Sequence, residues 1–124
     1  MIWNDAKLCV LLGRTDLFTR NTSILEKYDE YKNALVRNGI HIEDVIRKKM
    51  NGADVKWMRN AFPYDVVGTR HYLIWSTSSL EDEKIREIAL MRTGTLEFIT
   101  FVNPEEQKSV TGLWHAHCLI KMND

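Results

Sequence analysis

Cysteine and proline are scarce in this chain of 124 residues, with two of each. Cys9 and Cys118 are both flanked by apolar residues and form no regular framework. They read as two buried thiols of a reducing compartment rather than as the staples of a small secreted domain. Charge of one sign is also lacking: Lys plus Arg and Asp plus Glu each total 17, so the net charge is zero. A non-specific nucleic-acid binder needs an excess of positive groups to neutralise phosphates, so that class is disfavoured, although a local patch can still take a nucleotide. No apolar run approaches the roughly 18 residues of a membrane span. The opening Met1-Ile2-Trp3-Asn4-Asp5 lacks the basic start and apolar stretch of a secretory signal, and a cytoplasmic location is expected. There is no Gly-rich phosphate loop, dinucleotide fingerprint, Cys-x-x-Cys or HExxH, and no internal repeat or low-complexity tract.

The 44% hydrophobic and 27% charged fractions belong to a folded protein, and the length to one compact domain over 1–124. Helices are expected mainly in the first half. The first runs from Asn4 to Leu12, capped by Asn4 or Asp5, packing Leu8, Leu11 and Leu12 and ending at Gly13, with a strand over Cys9 to Leu12 as the alternative. The second begins at a Ser23–Glu26 capping box, with Thr22 as a rival cap, and presents Ile24, Tyr28, Tyr31 and Leu35 before stopping at Asn38-Gly39. The third spans about His41 to Met50, burying Ile42, Val45 and Ile46, with Arg47, Lys48 and Lys49 suited to the helix dipole. From Asn51 to Asn60 the pattern is irregular, Trp57 and Met58 packing a loop or short helix. Pro63 then makes a bend between Phe62 and Tyr64.

Strand patterns follow. Thr69 to Ser76 places His71, Leu73 and Trp75 on one face and Arg70, Tyr72 and Ile74 on the other. A helix opened by Ser79 and Asp82 carries Ile85, Ile88 and Ala89 to Thr93-Gly94. Leu96 to Val102 is a strand, and Asn103-Pro104 turns out of it toward a last strand over Val110 to Ile120. That last strand puts His115 and His117 between Leu113 and Leu119 on one face, with Trp114, Ala116, Cys118 and Ile120 behind. The expectation is an α+β fold: a small antiparallel sheet of three or more strands packed with the amino-terminal helices.

Candidate chemistry therefore rests on His71, His115 and His117. Two histidines on one strand face, about 7 Å apart at Cα, can serve a phosphate, a phosphoryl step or a metal, or can simply be core residues. Arg14, Arg20 and Arg70 are candidate anion clamps, since a guanidinium offers a planar fork of donors, and Asn103 is a further binding candidate. The leading expectation is a small phosphate- or nucleotide-directed enzyme, a phosphoester hydrolase or transferase with a small phosphate-containing ligand and no cofactor. One alternative is a zinc or iron enzyme using His115 and His117 with His71 or Asp65. Another is a non-catalytic adaptor. No feature specifies an oligomeric state.

Two resemblances bear on this. Trp3-x-Asp5, Arg20, Tyr28, Phe62-Pro63-Tyr64-Asp65-Val66, His71-Tyr72-x-Ile74-Trp75-Ser76, Phe101-Val102-Asn103-Pro104 and Ser109 to His117 together resemble the fungal N-acetylglucosamine-induced protein family, with Cys118 departing from its small apolar residue. That likeness implies a compact cytosolic protein without implying a reaction. Over 61–120 a weaker likeness is to histidine-triad nucleotide-binding proteins, carried by Phe62-Pro63-Tyr64, His71, Asn103-Pro104, Ser109-Val110 and His115-Ala116-His117. It implies that His115 is the nucleophilic middle histidine and His117 the last. Leu113 stands in the place of the first.

Overall fold

A computed structural model describes residues 1–94, 96–104 and 112–122. Helix α1, Trp3–Leu11, turns a different face inward from the one its leucines suggest. Trp3, Ala6 and Cys9, three residues apart, enter the core with Phe18, Phe101 and Leu119, while Leu11 is 81% exposed and Leu8 and Leu12 also face outward. Apolar residues lie on both sides of this helix, so periodicity alone does not choose between them. The indole of Trp3 decides it, burying the largest side chain while its Nε1 donates to Glu97 Oε2 at 3.3 Å. Neither Asn4 nor Asp5 caps the helix; Ile2 holds that position without a side-chain bond.

A single 3₁₀ turn, Thr15–Leu17, leads to α2, Thr22–Arg37. Its cap is Asn21, whose Oδ1 accepts from the Ile24 amide at 2.9 Å, one residue before Thr22 and two before Ser23, the caps expected from the sequence. The expected face holds: Tyr28 is buried, and Ile24, Tyr31 and Leu35 are half-buried. Helix α3, Ile42–Met50, buries Ile46 and Met50. Asn51 at φ 51° and Gly52 at φ 82° then reverse the chain.

The reversal feeds a strand, β1, Val55–Arg59, where the sequence pattern looked irregular. Its adjacent apolar residues serve opposite faces. Trp57 stacks on Tyr72 at 4.9 Å, and Met58 packs with Ile46, Trp75 and Leu113. Strand β2, Thr69–Ser76, has the expected bounds. Helix α4, Asp82–Thr93, starts after Glu81, so the Ser79–Asp82 box does not form; Gly94 ends it at φ 65°. Strands β3, Phe98–Phe101, and β4, Trp114–Lys121, are shorter than expected. Of the last strand as first read, Val110 and Thr111 lie outside the described residues, as does Ser109.

The sheet is antiparallel throughout, in the order β1-β2-β4-β3. Helix α4 covers one face, where Ile74, Ile85, Ala89, Ala116, Cys118 and Ile120 pack. Helices α1 and α3 cover the other, around Leu119 and around Trp75 and Leu113. Both cysteines are free and buried. The register is what makes the site: on the α1/α3 face His71 lies opposite Leu119, Leu73 opposite His117, and Trp75 opposite His115. Phe101 of β3 lies on the other side of His117. No helix among the described residues is long and apolar enough to cross a membrane.

Candidate active site

The central strands β2 and β4 bring three imidazoles together. His71 Nε2 and His117 Nδ1 are 2.8 Å apart, and the two rings meet at 5.0 Å. The ring of His117 stacks on Phe101 at 4.9 Å and 5°, and on Tyr64 at 5.5 Å. His115 stands edge-on to His117 at 5.2 Å, its ring 4.4 Å from Trp75. All three histidines are buried, and so is Asn103, whose amide reaches His117 Nε2 at 3.1 Å and Tyr64 Oη at 2.9 Å.

Behind this row the bend at Pro63 supplies donors. The Tyr64 backbone N–H donates to His71 Nδ1 at 3.2 Å, and the Asn60 side-chain amide approaches the same nitrogen at 3.3 Å. Asn60 also holds the bend, its Oδ1 accepting from the Phe62 amide at 2.9 Å. Arg20 crosses from the loop before α2. Its Nε donates to the Phe62 carbonyl at 2.8 Å, and its guanidinium lies 4.3 Å from the Tyr28 ring centre and 5.0 Å from that of Tyr64.

The side chains surround a cleft of about 240 Å³. His115, His117 and Asn103 lie on it with Trp75 and Leu73; Tyr28, Tyr31 and Phe62 form a second side, and Ile42, Val45 and Ile46 of α3 a third. Among the described residues its charged lining is Arg20, Lys49 and Arg59, with no carboxylate. In a chain of zero net charge that asymmetry is a local property of the cleft.

Burial keeps the two bonded rings neutral. His71 is pushed down to about 3, first by burial and then by the nearby Arg20 and His115. His117 is held well below the usual imidazole range by burial, with His71, His115 and Arg20 adding to it. Folded pKa values below the ordinary 6.5 mean that the unfolded chain takes up protons first as pH falls. The stabilisation is complete above about pH 6.5 and is lost on the way down to about pH 3, at about 1.4 kcal/mol per pH unit for each histidine. Urea denaturation at pH 7.5, 6.5 and 5.5, where most carboxylates are still ionised, is expected to show that loss. A flat profile over that interval would contradict it.

Not every candidate residue joins the site. Arg14 pairs instead with Asp16 through two exposed bonds of 3.0 Å. Arg70 is exposed and does not line the cleft of His115 and His117; it borders a second cleft, with Thr69, Pro63 and His71. The residues of the zinc or iron alternative are not brought together around one point. Asp65 is exposed, and His71 and His117 spend nitrogens on each other rather than converging on a common point. Among the described residues, no group of three or more His, Cys, Asp and Glu side chains is placed to hold a metal ion.

Other members escaped the sequence reading. Lys49 looked like a dipole-compensating charge, and Tyr64 serves through both its backbone N–H and its ring, which stacks on His117. Asn60 sits in the segment read as irregular, where its only signal was the short spacing to Pro63.

The antiparallel four-stranded sheet carries its paired histidines hydrogen-bonded across the two central strands. The chain is similar to one solved structure in particular, the crystal structure of HTC1: the two are 22% identical, the match covers 98% of this chain and 85% of that one, and the TM-score is 0.76. A likeness at that identity speaks for the fold. No protein-family model matches the chain, and no curated protein does. The resemblance to the N-acetylglucosamine-induced family is therefore corrected, since the similarity found lies with HTC1 and nothing found supports that family. The histidine-triad likeness, read from the sequence as the weaker of the two, is the one with which fold and paired histidines agree.

Proposed function

We propose that the protein is a phosphate- or nucleotide-directed enzyme, a phosphoester hydrolase or transferase, whose reacting group is His115. The observation that carries this reading is the charge of the cleft: Arg20 and Lys49 line it with His115 and His117, and no carboxylate does among the described residues. Such a lining favours a dianionic phosphate and disfavours a cation or a neutral sugar. The aromatic side formed by Tyr28, Tyr31 and Phe62 offers rings on which a flat organic group can rest.

The division of work follows from the place of the rings on the cleft. His117 has both ring nitrogens engaged, one by His71 and one by Asn103. His115 is the other imidazole on the cleft. In the reaction a His115 nitrogen forms a bond to phosphorus as the phosphorus–oxygen bond to the leaving group breaks, and the leaving oxygen takes a proton from solvent. Water or an acceptor alcohol then attacks phosphorus and releases its proton to solvent, the nitrogen–phosphorus bond breaks, and the ring returns to its starting state. Arg20 and Lys49 balance charge that spreads over the phosphoryl oxygens. His71, Arg70, Arg14 and Asp65 have no direct part in this scheme.

Binding tests the reading before any turnover is known. Titration with inorganic phosphate and a panel of nucleoside mono-, di- and triphosphates should give saturable binding that weakens with salt. Lys49→Met, a change at an exposed position, should weaken it by about 10-fold, the scale of one charged hydrogen bond. Wild-type protein that binds no member of the panel would remove the basis of the proposal.

A further inference from the structure

The hydrogen-bond chain through the site fixes where its protons are, and thereby gives Asn103 a task. A backbone N–H can only donate. His71 Nδ1, which receives the Tyr64 amide at 3.2 Å, therefore carries no proton, and the neutral ring holds its hydrogen on Nε2. That hydrogen points along the 2.8 Å contact to His117 Nδ1, which must then be the acceptor. A neutral His117 in turn carries its own hydrogen on Nε2, the nitrogen that faces Asn103.

With the Asn103 amide nitrogen turned to His117, two donors would meet at 3.1 Å, and the buried Oδ1 would have no hydrogen-bond partner. Turning the amide end for end replaces that donor–donor contact by a hydrogen bond and gives the oxygen two partners, while the amide nitrogen takes the place where Oδ1 stood. Its oxygen then receives the His117 N–H, and the Tyr64 hydroxyl, 2.9 Å away, donates to the same oxygen.

We infer that Asn103 is a positioning residue whose amide oxygen accepts the Nε2 proton of His117, ending a one-way chain that runs from the Tyr64 backbone N–H through His71 and His117. The chain holds His117 in a single tautomer and a single plane beside His115. It ends on a neutral amide, so it orients the ring without the gain in basicity that a carboxylate in the same place would bring. The low proton affinity of His71 and His117 agrees with a chain whose members stay uncharged. The inference concerns the folded protein alone and stands or falls independently of whether the cleft takes a phosphate.

Two-bond proton–nitrogen correlation spectra of the full chain read imidazole tautomers directly. His71 and His117 should both show a proton on Nε2 and a bare Nδ1 at pH 7. Substitution then distinguishes the two amide orientations. Asn103→Asp presents only acceptors and should keep the His117 Nε2 proton in place and slow to exchange; Asn103→Leu should release it to rapid exchange, with His115 shifts following the loosened ring. Unchanged resonances from the α4 face, around Ile85 and Ala116, confirm that each variant is folded. A proton on Nδ1 of either histidine overturns the assignment. So does an Asn103→Asp protein that loses the His117 proton as Asn103→Leu does.

Discussion

Asn in place of His115 is expected to lower turnover of a phosphoester substrate by at least about 10³-fold, as loss of a nucleophile does, while the protein still folds. The expectation rests on where each ring stands relative to the cleft. His117 gives both nitrogens to neighbours, and His71 lies behind it, its Nδ1 facing the Tyr64 amide and the Asn60 side chain rather than the cleft. Loss of the His115 ring therefore removes the attacking atom, not one of two equivalent groups. The fold should survive because Asn is smaller and polar, and because the layer behind His115 is built by Ala116 and Trp114 against Ile85 and Ile88. Ligand binding should persist within a few-fold, since Arg20 and Lys49 are untouched. A His115→Asn protein with wild-type turnover would remove His115 from the chemistry.

The second large effect concerns stability. His71→Leu fills much of the same volume but deletes two acceptor or donor sites in a buried place. It leaves the Tyr64 N–H without His71 Nδ1 and His117 Nδ1 without its donor. Each buried polar group stranded in this way costs about 1–3 kcal/mol, so a total loss of about 2–6 kcal/mol is expected in urea denaturation at pH 7.5. Part of the acid sensitivity should vanish with the ring, because one of the two depressed histidines is gone. A variant as stable as the wild type would mean that the His71–His117 bond contributes little, and that the row is held by the stack of His117 on Phe101 and Tyr64 alone.

Much of this arrangement was legible in the residues. Period-two alternation is unambiguous where a strand is central, and it placed His71, Leu73 and Trp75 together, and His115 with His117, on the faces they occupy. The register between the strands was not legible, because it depends on pairing between segments far apart in the chain. It is the register that sets His71 Nε2 against His117 Nδ1. Edge strand β1 was missed because its two apolar neighbours, Trp57 and Met58, serve opposite faces and break the alternation. The inward face of α1 was missed because Leu8, Leu11 and Leu12 offer a more obvious stripe than Trp3, Ala6 and Cys9. Nothing in the residue pattern chose among the arginines. Arg14 has an acid two residues away, Arg70 borders the second cleft, and Arg20 reaches the cleft of His115 and His117 through the Phe62 carbonyl and two tyrosine rings.

The account turns on a bond between His115 and phosphorus, and that bond can be caught. Wild-type protein is incubated with phosphoesters labelled on the transferred phosphoryl group, quenched in alkali to preserve an acid-labile nitrogen–phosphorus bond, and cleaved into peptides. The label is expected on the peptide carrying His115 and absent from the same peptide of the His115→Asn protein. Consumption of the substrate with no label on His115, or label on His117 instead, would contradict the account.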